Sequence, residues 1–304
     1  MDKCLSNKIL NPKTNRCVNK DGKIGKKIIL MNGLKWSNNS CYIDSLLFAI
    51  KVSYPELFES DLREIKNGDE KIRDIQKRIK EEILNLIKNK NDNCGILRNL
   101  LNKFYNNLRK INPKINIIDR NENLLTSQLD IFQLMEILDY IFNFKNELKF
   151  MDGDNIIKTT FDINIPIDLL INKDKIKINK ILPLYKIKYN LENGKTINKK
   201  FEILKTKKLM IKIYRNLGIK KLKTKIILSP YLKLKENRKR LKLTSIIIHY
   251  GNNQEGHYIS LFKYNSDWYE YNDMSNKMNK IGKGLTNINN NDNYISNIVA
   301  LLYS

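Results

Sequence analysis

Two short segments, far apart in the sequence, most constrain how this chain can fold. One surrounds a cysteine, Cys41, and the other runs from Gly256 to Asp273 and contains a histidine, His257. A thiol and an imidazole act on one another only when the fold brings them together. The chain has only two histidines, His249 and His257, so few residues can partner the cysteine.

The cysteine segment predicts a helix that begins at Cys41. The apolar residues after it follow a helical spacing, and three residues before it commonly cap helices. The apolar positions are Tyr42, Leu46, Leu47, Ala49 and Ile50, and the capping candidates are Asn38, Asn39 and Ser40. Because the N–H groups and dipole at a helix N-terminus favour a thiolate, we expect a reactive thiol. A free cysteine is also commonly a small buried apolar residue, and the helical context alone does not separate the two readings.

The histidine segment predicts three strands separated by turns. The predicted strands are Ser245–Ile248, Tyr258–Phe262 and Trp268–Tyr271, and turn-forming residues occupy 251–256 and 265–267. His257 begins the middle strand, and Asn272 and Asp273 follow its hairpin neighbour. The hairpin can therefore set one of these side chains beside the imidazole, which completes the parts of a cysteine-nucleophile hydrolase.

The two segments resemble the Cys box and His box of the ubiquitin-specific proteases, which are papain-like cysteine peptidases. The family's Cys box runs G-L-x-N-x-G-N-T-C-Y-x-N-S-x-L-Q, and residues 33–48 read GLKWSNNSCYIDSLLF. Its His box, H-x-G, G-H-Y and W-x-x-[FY]-[DN]-D, is matched in order by His249–Gly251, Gly256–Tyr258 and Trp268–Asp273. Weaker matches lie between the boxes at Gln128–Met135, Leu209–Arg215 and Lys225–Pro230.

The resemblance implies catalytic roles for four residues. Cys41 corresponds to the nucleophile, and His257 to the general base that becomes the general acid. Asn272 corresponds to the third residue, where the family accepts Asp or Asn, and Asp273 to a neighbouring acid that supports the site. An asparagine orients the imidazole ring, but it cannot neutralise an imidazolium by charge.

The resemblance also implies a binding site for the tail of ubiquitin. Asp130, Tyr258 and Gly256 correspond to positions that hold this tail in the family. The tail carries arginines before its terminal Gly-Gly, and a carboxylate is a suitable partner for them.

The chain departs from the family pattern at three positions. Trp36 stands where the family has an asparagine that donates to the oxyanion, so Trp36, Asn38 and Asn39 are the candidate donors, together with the Cys41 N–H. Asp44 replaces the usual asparagine and Gln133 the usual glutamate. These changes affect the oxyanion donor and the modifier preference, but they remove no catalytic residue.

The pattern of elements predicts an α+β fold. Residues 42–150 read as helices, one with an apolar stripe at Ile72, Ile75, Ile79, Ile83, Leu86 and Ile87, and strands begin near residue 156. With the resemblance this implies a papain-like catalytic domain over residues 33–304, with a helical thumb and an antiparallel β palm. Shortened, lysine-rich fingers are expected at about 166–207, with a turn at 192–195 and without the family's paired Cys-x-x-Cys zinc ligands. We therefore expect no metal and no cofactor. Cys94 has no nearby partner in the sequence, and we expect it to be structural.

Residues 1–29 read as a separate unit with turns at Asn11-Pro12 and Asp21-Gly22. Its two cysteines, Cys4 and Cys17, pair with each other, supply half of a zinc site, or are simply packed. The unit resembles a two-cysteine adaptor of large DNA viruses, which implies a viral source and an unknown docking partner.

The charge of the chain is strongly positive and uneven. The net charge is +24. Residues 171–225 alone hold eighteen Lys/Arg and three Asp/Glu, and residues 1–32 hold eight Lys/Arg and two Asp. Such stretches suit nucleic acid or acidic membranes. However, no aromatic residues are interleaved with the lysines, and Lys, Asn and Ile are abundant throughout, which is typical of an AT-rich coding genome.

Other classes of protein are disfavoured by the sequence. No run is apolar enough to span a membrane, the first residues lack a signal-peptide core, and four cysteines do not suggest a disulfide scaffold. We expect a cytoplasmic location, in the host cell or the virion, where a thiol stays reduced.

The sequence therefore predicts a deubiquitinase that forms a thioester on Cys41. Three alternatives remain open. The chain acts on another ubiquitin-like modifier such as SUMO, it binds ubiquitin as a catalytically weak scaffold, or it is a basic virion protein that contacts nucleic acid.

Overall fold

The fold is taken from a computed structural model. It describes residues 4, 7–11, 14, 16–25, 28, 34–35, 39–88, 93–118, 123–127, 129–144, 148–152, 155–159, 162–165, 167–181, 186–190, 196–217, 220–234, 239–252, 255–275 and 278–304.

Four helices of eleven or more residues precede most of the strands. These are α1 (Cys41–Ser53), α2 (Glu70–Ile87), α3 (Gly95–Ile111) and α4 (Ile131–Ile141). Shorter helices follow later: α5 (Ile178–Ile181), α6 (Thr286–Asn289) and α7 (Asp292–Ile295), with single 3-10 turns at Leu57–Glu59 and Ile167–Leu169. The predicted helical first half is confirmed.

The second helix shows how the sequence sets these elements. Asp69 caps α2 by accepting the Ile72 N–H at 2.9 Å. The apolar stripe predicted from the sequence is buried from Ile72 to Leu86, and Ile87 is partly buried at its end. The stripe packs into a core shared by α1, α3 and α4, so it is structural.

After the helices the strands begin at residue 148, slightly before the predicted point, and two further strands lie near the N-terminus. The first ten are β1 (Lys8–Asn11), β2 (Arg16–Asn19), β3 (Leu148–Asp152), β4 (Asn155–Thr159), β5 (Asp162–Ile165), β6 (Lys175–Lys177), β7 (Lys186–Asn190), β8 (Thr196–Lys205), β9 (Leu209–Ile213) and β10 (Asn216–Leu217). The others are β11 (Lys220–Lys221), β12 (Lys225–Ile227), β13 (Tyr231–Leu232), β14 (Leu241–Gly251), β15 (Gly256–Tyr264), β16 (Asp267–Tyr271), β17 (Asn279–Lys283) and β18 (Ile298–Tyr303).

The main sheet has the order β17-β16-β15-β14-β18-β9-β5, and β13 pairs with β14 at its side. Neighbours are antiparallel except β5 and β9, which run parallel. Both hairpins predicted around the histidine are present, since β14 pairs with β15 and β15 with β16. The β15–β16 turn contains Asn265 with φ 56°, a left-handed conformation that asparagine tolerates.

The main sheet is buried on both faces. Met210, Ile247 and Leu302 face the core beneath the helices, while Ile211, Ile246 and Leu301 face a second core on the other side. This explains why the Ile246-Ile247-Ile248 run does not alternate with polar residues.

The first helix lies against the middle of the sheet and packs on β14, β15 and β18. Two hydrogen bonds join them: the Ser260 hydroxyl donates to the Ser45 carbonyl at 2.8 Å, and the Ser53 hydroxyl bonds Ser245 at 2.9 Å. Cys41, at the start of α1, is therefore fixed relative to the strand that carries His257.

A second sheet is not hydrogen-bonded to the main sheet. It has the order β4-β3-β8-β7 and is antiparallel, so two strands preceding residue 166 join the lysine-rich segment expected to form the fingers. The predicted turn at 192–195 lies outside the described residues.

The first residues form a small antiparallel hairpin. β1 pairs with β2, and a disulfide links Cys4 and Cys17, whose Cα atoms are 5.7 Å apart. Of the arrangements that the sequence left open for the two cysteines, the structure has the disulfide. In the part of the chain that is described, no helix has the length and apolarity needed to cross a membrane.

Arg215 ties the end of β9 to neighbouring segments and gives a test of the fold. Its buried guanidinium donates to four main-chain carbonyls, those of Ile298 (2.6 Å), Thr224 (2.9 Å), Leu222 (3.0 Å) and Ile295 (3.3 Å).

We predict that Arg215→Met lowers the free energy of unfolding by about 3 kcal/mol or more, because buried acceptors lose their donors. Lys220→Met, at an exposed neighbouring position, should change it by less than about 0.5 kcal/mol. Urea denaturation measures both, and equal midpoints for the two variants would contradict the role given to Arg215.

Candidate active site

Cys41 is the first residue of α1 and is almost fully buried, with 2% of its surface exposed. Its sulfur accepts hydrogen bonds from the main-chain N–H groups of Tyr258 and Tyr42. Since Tyr258 follows His257 on β15, the thiol lies beside the strand that carries the imidazole. The predicted helix start at Cys41 is confirmed.

The charge state of the thiol depends on its burial. Burial raises the pKa of Cys41 to about 11; the Tyr258 N–H opposes this shift, and the Asp273 and Asp44 carboxyls add to it. The helix N-terminus is too weak to offset the loss of hydration. In the free protein burial thus outweighs the helix start and favours the neutral thiol, the second of the two interpretations that the sequence left open.

The residue that caps α1 does not act through its side chain. Ser40 is the N-cap, but its hydroxyl donates to Asp44 Oδ2 at 2.5 Å instead of accepting a helix N–H. Asp44 is fully buried, and its other oxygen, Oδ1, accepts from Cys94 Sγ at 2.9 Å. The expectation that Cys94 has no partner is thus wrong, because the start of α3 brings it against the first turn of α1.

His257 is held by the asparagine predicted from the hairpin. Its Nε2 lies 2.9 Å from Asn272 Oδ1, and the Met274 N–H donates to the same oxygen at 3.0 Å. Two donors on one oxygen fix the amide with its oxygen towards the ring. Nε2 therefore carries a hydrogen, and in the neutral ring Nδ1 keeps the lone pair that a general base needs.

Asp273 supplies the negative charge that Asn272 lacks. Its Oδ1 lies 3.5 Å from His257 Nε2, and its side chain is buried. Its oxygens receive no well-formed hydrogen bond from an N–H group, although the N–H groups of Asp273 and Met274 lie close enough to favour its charged form. Desolvation is the larger effect and raises the pKa of Asp273.

The other histidine has a different environment. The His249 ring stacks on Tyr258 with centroids 4.3 Å apart, and its Nδ1 lies 3.2 Å from Lys221 Nζ. Burial, followed by the Lys221 charge, lowers the pKa of His249 to about 3. His249 is thus neutral, with its ring packed beside Tyr258 and Nδ1 facing the lysine.

A cleft of about 510 Å³ opens beside Tyr258 and includes two of the three residues expected to bind a peptide tail. Asp130 and Tyr258 both line it and are hydrogen-bonded to each other, and Glu255 adds a second acid. Burial raises the pKa of Asp130 to about 6, although the Phe132 N–H favours its charged form. At neutral pH Asp130 therefore presents a carboxylate to the cleft, which Arg215 and Lys221 also line.

Asp130 is held by the start of α4. Its carboxyl accepts the Phe132 N–H at 2.9 Å, and Gln133 accepts the Asp130 N–H at 2.9 Å, which is a capping box. Gln133, which replaces the family's glutamate, also donates to the Ile117 carbonyl at 3.0 Å. Gln128 lies outside the described residues.

Gly256 is required by close approach at the start of β15. A Cβ atom at this position would lie 2.0 Å from the Tyr250 carbonyl oxygen and 2.4 Å from His249 Nε2. Any side chain would displace His249 and the hairpin end next to His257.

The candidate oxyanion donors are described only in part. Asn39 is exposed with φ 61°, and its Nδ2 donates to the Thr126 carbonyl at 3.3 Å. Trp36 and Asn38 lie outside the described residues. Among the described residues no group of three metal-ligating side chains converges.

Comparison with known proteins gives the family. Residues 32–296 match the ubiquitin carboxyl-terminal hydrolases. The chain belongs to this family. It is accordingly an enzyme, a cysteine hydrolase of the ubiquitin-cleaving class.

The fold is also found in solved structures. One is a chain of the SAGA DUB module Ubp8/Sgf11/Sus1/Sgf73 bound to monoubiquitin, with a TM-score of 0.54 and 18% identity over 90% of this chain and 69% of that one. Another is a chain of this module bound to ubiquitin aldehyde, with a TM-score of 0.50 and 16% identity over the same shares. No curated protein matches the sequence significantly. The α+β papain-like hydrolase fold is thus confirmed.

Sequence reasoning missed the polar cluster behind this hydrolase's cysteine. Asp44 stood out as a departure from the family pattern, but nothing near Cys94 in the sequence pointed to it. Helix packing alone joins these two residues, which are 50 positions apart.

The raised pKa of the thiol predicts how Cys41 reacts in the free enzyme. The rate of alkylation by iodoacetamide should be low at neutral pH and rise about tenfold per pH unit towards pH 10, since the thiolate fraction rises in that way. Mass spectrometry of the modified peptide measures it, with Cys41→Ala as the control. A rate independent of pH across the neutral range would instead show a thiolate already formed in the free protein.

Proposed function

We propose that this enzyme is a deubiquitinase that cleaves the isopeptide or peptide bond after the C-terminal Gly-Gly of ubiquitin. The observation that carries the proposal is the His257–Asn272 hydrogen bond, since it leaves Nδ1 as the basic nitrogen of a histidine one residue from the N–H that binds Cys41 Sγ. A thiol, an oriented imidazole and an acid are the minimal equipment for acyl transfer.

The proposed reaction passes through a thioester. His257 Nδ1 takes the proton of Cys41 as the sulfur attacks the carbonyl carbon of the terminal glycine. The C–N bond then breaks, and the imidazolium gives its proton to the leaving amine. Water, deprotonated by His257, hydrolyses the thioester and releases the glycine carboxylate and the free thiol.

The third residue and its neighbour have separate roles in this proposal. Asn272 sets the direction of the ring and selects its tautomer. Asp273, 3.5 Å from Nε2, stabilises the imidazolium once Cys41 has lost its proton. Because burial raises the pKa of the Cys41 thiol, we propose that charge separation takes place when substrate is bound. The Cys41 N–H and the Asn39, Asn38 or Trp36 side chains are the proposed donors to the oxyanion.

Support for ubiquitin as the substrate comes from two directions. The two solved structures compared above contain ubiquitin or ubiquitin aldehyde. The cleft beside Tyr258 also offers the Asp130 carboxylate to an incoming basic tail. We therefore propose that Asp130, Tyr258 and Gly256 hold the tail of ubiquitin, with Gly256 acting through its backbone.

The remaining proposals rest on the sequence. We propose a catalytic domain over residues 33–304 and an N-terminal adaptor over residues 1–29, the latter docking an unidentified partner in a protein of viral origin. We also propose a location in the cytoplasm of the host cell or in the virion.

Electrophile probes test the proposed function. Ubiquitin and SUMO, each with a C-terminal electrophile, are incubated with wild type, Cys41→Ala and His257→Ala. We predict a covalent adduct with ubiquitin on Cys41, none in Cys41→Ala, and a rate reduced by roughly a hundredfold or more in His257→Ala. An adduct with the SUMO probe alone would contradict the substrate, and no adduct in folded protein would contradict the enzyme mechanism.

The raised pKa of Asp130 predicts a pH dependence of substrate binding. As the pH falls through about 6, Asp130 takes up a proton and loses its attraction for arginine, so KM for a ubiquitin substrate should rise. Asp130→Asn keeps the helix cap, and we expect it to raise KM by roughly tenfold at neutral pH and to flatten this dependence.

Asp139 provides the matched control for this prediction. Burial raises its pKa to about 6 as well, but it does not line the cleft. Asp139→Asn should therefore leave the rise in KM at acid pH unchanged. If both variants flatten the profile equally, the dependence does not come from the cleft.

A further inference from the structure

Behind Cys41 lies a group of buried polar side chains that the proposed reaction does not use directly. Asp44 is at its centre, on the first turn of α1. It faces groups from its own segment, from the start of α3 and from the end of β16: Ser40, Cys41, Cys94, Tyr271 and Asp273. No lysine or arginine pairs with Asp44 or Asp273 within the residues that the structure describes.

The two carboxyls of this group are in direct contact. Asp44 is completely buried, and the side chain of Asp273 has no exposed surface. Each carboxyl acts on the ionisation of the other, which favours the neutral form of Asp44 and the charged form of Asp273. Among the described residues both buried oxygens of Asp273 lack a hydrogen-bond partner, so they can accept from a protonated Asp44. Two buried carboxylates in contact, with no lysine or arginine paired to either among the described residues, cannot both be charged at acceptable cost, so one of them keeps a proton.

The surroundings decide which carboxyl holds the proton. Asp273 faces the His257 ring and the N–H groups of residues 273 and 274, all of which favour a negative charge. Among the described residues, the donors to the Asp44 side chain are the Ser40 hydroxyl and the Cys94 thiol, two weaker neutral donors. Burial moves the pKa of Asp44 well above its ordinary value of 3.8.

We propose that Asp44 is a protonated carboxyl that donates to Asp273, so that the pair carries one negative charge and holds it against His257. Asp44 is then a positioning residue for the reaction proposed above, on which its catalytic role rests. It fixes the Asp273 oxygen beside Nε2. It also limits the charge behind Cys41 to one, because each of the two carboxylates would disfavour the thiolate.

A protonated Asp44 also accounts for an aspartate where the resemblance expects asparagine. An amide and a protonated carboxyl each have one oxygen that accepts and one group that donates. Asp44→Asn therefore keeps the hydrogen bond to Asp273 and the single charge, whereas Asp44→Ala removes the donor. The conservative variant separates the proposal from a simple packing role.

The first test needs no activity and so does not depend on the proposed function. Infrared spectra of wild type at about pH 8 should show the C=O band of a protonated carboxylic acid that is missing in Asp44→Asn. Asp139→Asn should keep this band, because Asp139 is ionised at that pH. If wild type and Asp44→Asn have the same carboxylic-acid bands, the proposal is overturned.

Stability against pH is the second readout. A carboxyl whose native pKa is raised contributes stability that is complete below its unfolded pKa of 3.8 and is lost as the pH rises towards the native value. Asp44→Asn lacks this loss. Its stability relative to wild type should therefore increase between about pH 4 and pH 8, and a difference that stays constant or reverses would refute a protonated Asp44.

Activity completes the test in the full-length enzyme. At neutral pH we expect kcat/KM of Asp44→Asn within roughly threefold of wild type, and of Asp44→Ala lower by roughly ten- to a hundredfold, as for outer hydrogen-bond partners of other sites. Asp273→Asn should be impaired much more than Asp44→Asn, since it removes the charge itself. If Asp44→Asn and Asp273→Asn lower kcat/KM equally, the two carboxyls do not differ in protonation, and the proposal that Asp44 holds the proton is overturned.

Discussion

The packing of α1 against β14 and β15 is the contact on which the site depends. It places Cys41 at a helix start, beside the N–H of Tyr258, and removes the thiol from water. The same contact that positions the nucleophile therefore also makes its ionisation costly. Desolvation outweighs the helix dipole here, so the nucleophile is positioned in advance but not charged in advance.

Given a neutral thiol, the histidine must be able to accept a proton and then carry a charge. The Asn272 amide meets the first need, because two donors on its oxygen fix the ring with Nδ1 unprotonated. Asp273 meets the second need from 3.5 Å without forming the primary bond to the ring. An Asn-Asp pair in consecutive positions thus divides between two residues what a single aspartate does in other triads.

Much of this arrangement could be read from the sequence, because it is local. The helix start at Cys41, the two hairpins around His257 and the juxtaposition of His257 with Asn272 follow from periodicity, turn residues and strand pairing. The contact between Cys94 and Asp44 could not be read in this way, since it joins the starts of two helices through packing alone. The pKa of Cys41 also depends on how completely the sheet and helices cover the thiol, which the position at a helix start does not reveal.

An acid at position 44 shows how burial changes the chemistry of a side chain. In water, aspartate and asparagine differ by a full charge; in the dry space between α1, α3 and β16, a protonated aspartate has nearly the hydrogen-bonding pattern of asparagine. Because Ser40 and Cys94 are neutral donors, they satisfy the Asp44 oxygens without making its ionisation favourable. An aspartate in place of asparagine at position 44 leaves the number of charges beside His257 unchanged only while Asp44 keeps its proton. The geometry of the site therefore depends on the protonation of Asp44, whereas with an asparagine it would not.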